Sequence, residues 1–201
     1  ERILVLDGAM GTMIQTYGLG EDDFWRDDLR TSCSLMRVQM KGNNDVLCLT
    51  RPDVVSDIHR RYLEAGADII ETNTFSAQRI SQADYNIEQF ARQIAFEGAR
   101  IARQAANAYS TPEKPRFVAG SIGPTNKTCS MSPDVSNPAR RDLTYGQLYD
   151  AYLEQMTALI EGGVDALLIE TIFDSLNSKC AIDAAMTAMR QLGVQLPTML
   201  S

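Results

Sequence analysis

The sequence predicts an α/β fold built on parallel strands, and three observations carry that reading. Short apolar runs of strand length alternate strictly with longer segments of helical period along the 201 residues. One pattern occurs twice, as Glu64-Ala-Gly-Ala-Asp-Ile-Ile-Glu-Thr-Asn-Thr-Phe75 and as Glu161-Gly-Gly-Val-Asp-Ala-Leu-Leu-Ile-Glu-Thr171. Each copy reads as helix end, small residues, Asp, buried strand, then Glu-Thr. Finally, polar residues leave the C-terminal end of each of the first four expected strands, which gathers them on one rim. In barrels and open α/β sheets alike, that rim is where ligands bind.

Taken in order, Ile3-Leu-Val-Leu6 is the first expected strand, and it breaks at Asp7-Gly8-Ala9-Met10-Gly11. The glycines let backbone N–H groups approach a ligand, yet neither a G-x-G-x-x-G nor a P-loop pattern is present, so no nucleotide is implied. Residues 18–44 form a long polar excursion without periodicity, either a loop over the site or a surface decoration. Thr50 is the expected N-cap of a helix with Pro52 in its first turn, and Val54, Ile58 and Tyr62 share a face. His59, the only histidine, is expected to face solvent, which leaves little basis for a Ser-His or Cys-His nucleophile system. A second strand spans Asp68 to Glu71, with Thr72-Asn73-Thr74 beyond it. A long helix follows over roughly residues 86–108, carrying Ile87, Phe90, Ile94 and Ile101 on one side.

The third strand, Arg116 to Gly120, runs out into Ser121-Ile-Gly-Pro-Thr-Asn126. A helix from Thr144 presents Leu148, Tyr152, Met156, Leu159 and Ile160, and Gly162-Gly163 closes it. Ala166 to Ile169 is continuously apolar, as a strand buried on both faces should be. Glu170, Thr171 and Asp174 follow, with Asp174 as N-cap of a helix from Ser175 to Leu192 that ends at Gly193. A fifth strand begins near Thr198. Both a doubly wound sheet and an incomplete (β/α)₈ barrel fit this order. The barrel is favoured because polar residues leave every early strand rather than one switch point. The expectation is one domain over residues 1–201 holding about the first five β/α units, with about three more units needed to complete a barrel. The chain opens at Glu1 rather than Met, as an excised piece would.

Composition narrows the partners. Lys plus Arg is 19 and Asp plus Glu is 26, a net charge of −7 with no basic tract, which argues against nucleic acid or an anionic membrane. No run reaches membrane-spanning length and no signal-peptide pattern opens the chain. Cys33, Cys48, Cys129 and Cys180 are scattered without a C-x-x-C pair, the usage of cytosolic thiols.

Several stretches together resemble one family. They are residues 4–15, Lys41-Gly-Asn-Asn-Asp45, residues 65–75, Phe117-Val-Ala-Gly120, Gly123-Pro-Thr-Asn-Lys-Thr128, Ser132-Pro-Asp-Val135 and Leu168-Ile-Glu-Thr-Ile-Phe-Asp174. In this order they are similar to the homocysteine-binding domain of cobalamin-dependent methionine synthases, with a departure over Arg30 to Met40. The resemblance implies a barrel that binds homocysteine at its C-terminal rim for methyl transfer from methylcobalamin to give methionine. It also implies a thiolate on zinc, and folate-binding and cobalamin-carrying modules as partners in the same full-length protein. The family's three zinc-binding cysteines match none of the four here, so no metal ligand is expected among residues 1–201. Asp7 and Glu170 are the acids the resemblance assigns to the ligand ammonium, with Gly8 and Ala9 offering N–H groups to its carboxylate. Asn73, Ser121 and Asn126 are further candidates for polar contacts, while Glu71 fits a structural rim role equally well. A betaine- or S-methylmethionine-type homocysteine methyltransferase and a non-catalytic binding fragment remain as alternatives.

Overall fold

The computed structural model describes residues 2–32 and 38–201; Cys33 and much of the 30–40 departure lie outside the described residues. Four parallel strands form one sheet in chain order: β1 (Ile69–Glu71), β2 (Phe117–Ile122), β3 (Ala166–Ile169) and β4 (Thr198–Leu200). No strand is out of sequence, so the sheet has no switch point of the doubly wound kind.

Eight α-helices are described. The N-terminal part holds α1 (Met10–Gln15), α2 (Asp27–Ser32), α3 (Leu47–Thr50) and α4 (Pro52–Ala65). Beyond β1 come α5 (Arg79–Gln82) and α6 (Ala91–Tyr109), then α7 (Tyr145–Glu161) between β2 and β3 and α8 (Ser175–Leu192) between β3 and β4. The long crossovers pack in succession, α4 on α6, α6 on α7 and α7 on α8. Between them and the sheet lies a continuous apolar core that includes Ile58, Ile70, Ile94, Val118, Met156 and Leu167.

The expected first strand is reduced to a single parallel bridge, Leu6 to Ile69. Val5 O accepts from both Asp68 N (2.8 Å) and Ile69 N (3.1 Å), and Asp68 Oδ2 takes Val5 N at 3.0 Å. Ile3 to Leu6 are all exposed, Ile3 at 89%, so burial on a second side does not straighten this segment into a strand. β2 also runs two residues further than expected, which places Ser121 inside the sheet.

Three helix expectations need correction. His59 is fully buried rather than solvent-facing. α4 touches α1, α3, α6 and β1 at once, so its buried arc takes in Val55 and His59 as well as Val54 and Ile58. Arg51, not Thr50, occupies the N-cap of α4, because Leu47 to Thr50 already form a helical turn with Thr50 as its last residue. The long helix begins at Ala91 rather than near residue 86, since Asn86 adopts φ 56° and ends a separate 3₁₀ turn. The caps of α7 and α8 are as read from sequence: Thr144 accepts from Gln147 N, Asp174 accepts from Leu176 N and Asn177 N, and Gly193 closes α8 at φ 66°.

Candidate functional site

The strand ends converge on a cleft of about 520 Å³ at the C-terminal rim of the sheet. Asp7, Gly8, Ala9, Asn73, Ser121 and Glu170, six of the seven residues proposed from sequence, line it together. Asn126 does not; it is exposed on the loop beyond β2, where its amide donates to Asp84 Oδ2 at 2.5 Å. Glu71 also faces the cleft.

Each acid is delivered by a strand end. Leaving the Leu6 bridge, Asp7 N donates to Ile69 O at 2.9 Å, and Asp7 Oδ1 accepts Glu71 N at 3.0 Å. Glu71 is the last residue of β1, with no hydrogen bond to its carboxylate among the described residues. Glu170 follows β3 through Glu170 N to Ile122 O (3.0 Å), and its Oε1 accepts Ser121 Oγ at 2.5 Å. Beneath them Thr72 and Thr74 tie β1 to β2: Ser121 N donates to Thr72 Oγ1 (2.9 Å) and Thr74 Oγ1 to Ser121 O (2.9 Å). The acids therefore stand on a fully bonded floor.

Four carboxylates, of Asp7, Asp45, Glu71 and Glu170, line this one cleft. Burial, with the charges of Glu71 and Glu170 nearby, pushes the Asp7 carboxyl up to about 8, even though Glu71 N–H opposes the shift. Burial and the Glu170 charge raise Glu71 to about 7. Among the described residues, no Lys, Arg or His lines the cleft to neutralise them. Such a site favours a cationic group from outside, and a compact ammonium fits it.

The rim also carries backbone strain. Thr171, directly after Glu170, sits at φ 60°, a conformation that β-branched residues rarely adopt. Strain of this kind costs about 1–3 kcal/mol and gathers at functional sites. The opposite wall was missed from sequence: Gly42, Asn44 and Asp45, at the end of the polar excursion, border the cleft. Their one local signal was the Lys41-Gly-Asn-Asn-Asp45 motif, in which Gly42 takes φ 113°.

No group of three or more His, Cys, Asp or Glu suited to a metal occurs among the described residues. Cys48, Cys129 and Cys180 are free and buried. Burial raises the Cys48 thiol well above its ordinary value, opposite to what a metal-binding thiolate needs. No helix among the described residues is long and apolar enough to cross a membrane.

With this geometry in place, comparison with known proteins is specific. The fold matches the homocysteine methyltransferase MmuM from Escherichia coli in its metallated form, with TM-score 0.69 and 20% identity over 100% of this chain and 63% of that one. The oxidized form gives 0.68 and 20% over 99% and 61%, and the apo form 0.63 and 20% over 100% and 60%. The chain thus spans about three fifths of the length of these structures. The family model for homocysteine S-methyltransferase matches residues 4–201, nearly the whole chain, and the chain belongs to that family.

Proposed function

We propose that this chain is the homocysteine-binding segment of a cobalamin-dependent methionine synthase and supplies the amino-acid half of its site. The observation that supports this most is the acid cluster of Asp7, Glu71 and Glu170 in one cleft with the Gly8 and Ala9 N–H groups, where the described residues offer neither a cation to the acids nor an acceptor to the donors. A zwitterionic amino acid presents the complementary charges. Sheet order in chain sequence, open at both edges, fits the first part of a (β/α)₈ barrel whose remaining units complete the domain.

The reaction transfers a methyl group to the homocysteine sulfur: the thiolate lone pair forms the new S–C bond while the bond from methyl to its carrier breaks toward the carrier. An ordinary thiol, with pKa near 8.5, is a weak nucleophile at neutral pH. Activation of the sulfur is proposed to come from a zinc ion held outside this segment, since none of its four cysteines matches the family's zinc ligands. What this segment contributes is orientation, which holds the sulfur at a fixed distance from the acids that grip the ammonium. Folate-binding and cobalamin-carrying modules are the proposed partners, in a cytosolic setting that suits three free thiols.

Glu170→Gln in the full-length protein tests the reading. Losing a charged partner from a buried ammonium weakens homocysteine binding by about 2–4 kcal/mol, with metal content unchanged. Wild-type affinity in the variant would leave Glu170 a structural acid. Assays with methylcobalamin, betaine and S-methylmethionine as donors decide the carrier, and turnover only with a small donor overturns the synthase assignment.

A further inference from the structure

We propose that the Asn44 side-chain amide binds the carboxylate of the substrate amino acid, and that the strap from Met40 to Asp45 holds it in place for that purpose. This rests on the homocysteine reading and adds to it a side chain that the sequence pattern did not assign.

Among the described residues, a carboxylate entering this cleft meets the acids Asp7, Glu71 and Glu170, an Asp45 already bonded to Ser76 N, and no cationic side chain. Those residues can hold it only through neutral donors. The N–H groups of Gly8 and Ala9 donate to no acceptor among the described residues and supply part of the need. Of the two side-chain amides in the cleft, that of Asn73 is committed: its Nδ2 donates to Asn44 O at 2.8 Å. The Asn44 amide has no protein partner among the described residues. It points at the turn that carries Gly8 and Ala9, since a Cβ placed on Gly11 would lie 3.5 Å from Asn44 Nδ2. The absence of that Cβ keeps the amide and the backbone donors in one space.

Hydrogen bonds along the strap fix the backbone on both sides of this amide. Asn43 Nδ2 donates to Gln82 Oε1 at 2.7 Å, and both residues are buried. Asp45 Oδ1 accepts Ser76 N at 2.8 Å, and the carbonyl of Asn44 itself is held by Asn73. At the far end the Glu21 carboxylate accepts Met40 N (2.7 Å), Lys41 N (2.8 Å) and Trp25 Nε1 (2.8 Å). Asn44 is therefore a free side chain between two locked ones. A backbone held in advance brings that amide to the cleft without a further cost of ordering the loop.

The test uses the full-length protein with two probes, homocysteine and 3-aminopropanethiol, which is the same molecule without its carboxylate. A hydrogen bond to a charged group predicts that Asn44→Ala weakens homocysteine about 10- to 100-fold, seen in Kd or KM rather than kcat. Binding of 3-aminopropanethiol should be unchanged. Asn44→Asp, which sets a negative charge against the carboxylate, should weaken homocysteine further and again spare the amine. Equal losses for both probes would mean that Asn44 only shapes the cleft, and undiminished homocysteine binding by Asn44→Ala would equally overturn the proposal. A wild-type protein that binds both probes alike refutes carboxylate recognition and leaves the homocysteine reading standing. One that binds neither refutes both.

Discussion

Asp7 and Glu71 should make amino-acid binding steeply pH-dependent, and the slope distinguishes one titrating acid from two. In the empty cleft their carboxyls titrate at about 8 and about 7. Both shifts are upward, so below those values each group holds a proton that must leave before it can pair with an ammonium. Affinity is therefore greatest above about pH 8 and falls as pH drops. At pH 7 roughly a tenth of Asp7 and roughly half of Glu71 is ionised, and at pH 6 the doubly ionised cleft is rarer by about 50-fold. If Asp7 alone must ionise, the fall is about 9-fold. Methionine is the suitable probe, because it lacks a thiol and its ammonium keeps its charge throughout this range. Calorimetric titration at pH 6 and pH 7 reads the slope, and repeating it in buffers of different ionisation enthalpy counts the protons released. Asp7→Asn removes the larger share and leaves a fall of about 5-fold from Glu71. At pH 7 the variant itself binds about 1–3 kcal/mol more weakly, since the lost ion pair is partly offset by the deprotonation it no longer requires. Affinity that is flat between pH 6 and pH 7, or the same slope in Asp7→Asn, would refute the claim that a proton must leave this carboxyl.

Three other outcomes follow from the structure. His59 is buried with no partner for either ring nitrogen and its pKa is lowered to about 4 by burial; His59→Leu should stabilise by about 1–3 kcal/mol in denaturant unfolding. Because the folded pKa lies below the unfolded value of about 6.5, the unfolded state takes the proton first and stability falls from about pH 6.5 to 4, a fall the variant should reduce. Gly98→Ala should destabilise by about 1 kcal/mol or more despite a helix-propensity gain of similar size, because its Cβ would overlap Thr74 Cγ2 in the cleft floor; a higher unfolding midpoint would contradict this. Residues 1–201 expressed alone should self-associate, because Ile3 (89% exposed), Phe173 (73%) and Leu200 (61%) lie bare near the two sheet edges; light scattering on a size-exclusion column showing a sharp 22 kDa monomer would refute it.

What the sequence made legible was whatever depends on neighbours close along the chain. β3 is a run of four apolar residues flanked by a helix-ending glycine pair and an acid, and the structure has it as read. Asp7, Ser121 and Glu170 follow from the rule that strand ends share a rim. The failures involve distant partners. His59 looked exposed because one helical stripe was taken as the whole buried face, whereas α4 is covered from several directions. Asn126 lies only five residues beyond Ser121, but Pro124 and the following turn carry it out to Asp84. The wall made by Gly42, Asn44 and Asp45 is held by bonds from Glu21, Asn73, Ser76 and Gln82, none of them within 18 residues of its partner. Hydrophobic period carries no trace of such a network.

The repeated Glu-Thr shows most plainly how similar stretches come to serve different ends. Glu71-Thr72 and Glu170-Thr171 follow equivalent strands and looked interchangeable. Thr72 continues the sheet, its N–H donating to Ala119 O at 3.0 Å and its hydroxyl oxygen accepting Ser121 N at 2.9 Å. Among the described residues, the Glu71 carboxylate accepts no hydrogen bond, and it lies in the cleft with Asp7. Thr171 instead turns to φ 60°, and its N–H reaches Ser201 O at 3.1 Å beyond β4. The neighbouring Glu170 accepts a hydrogen bond from the Ser121 hydroxyl at 2.5 Å. The Ser121 hydroxyl therefore distinguishes two like carboxylates: Glu170 accepts from it, while Glu71, raised by burial and the Glu170 charge, takes up and releases a proton near neutrality. That division lets a crowded acidic cleft hold protons when empty and give them up as an ammonium arrives.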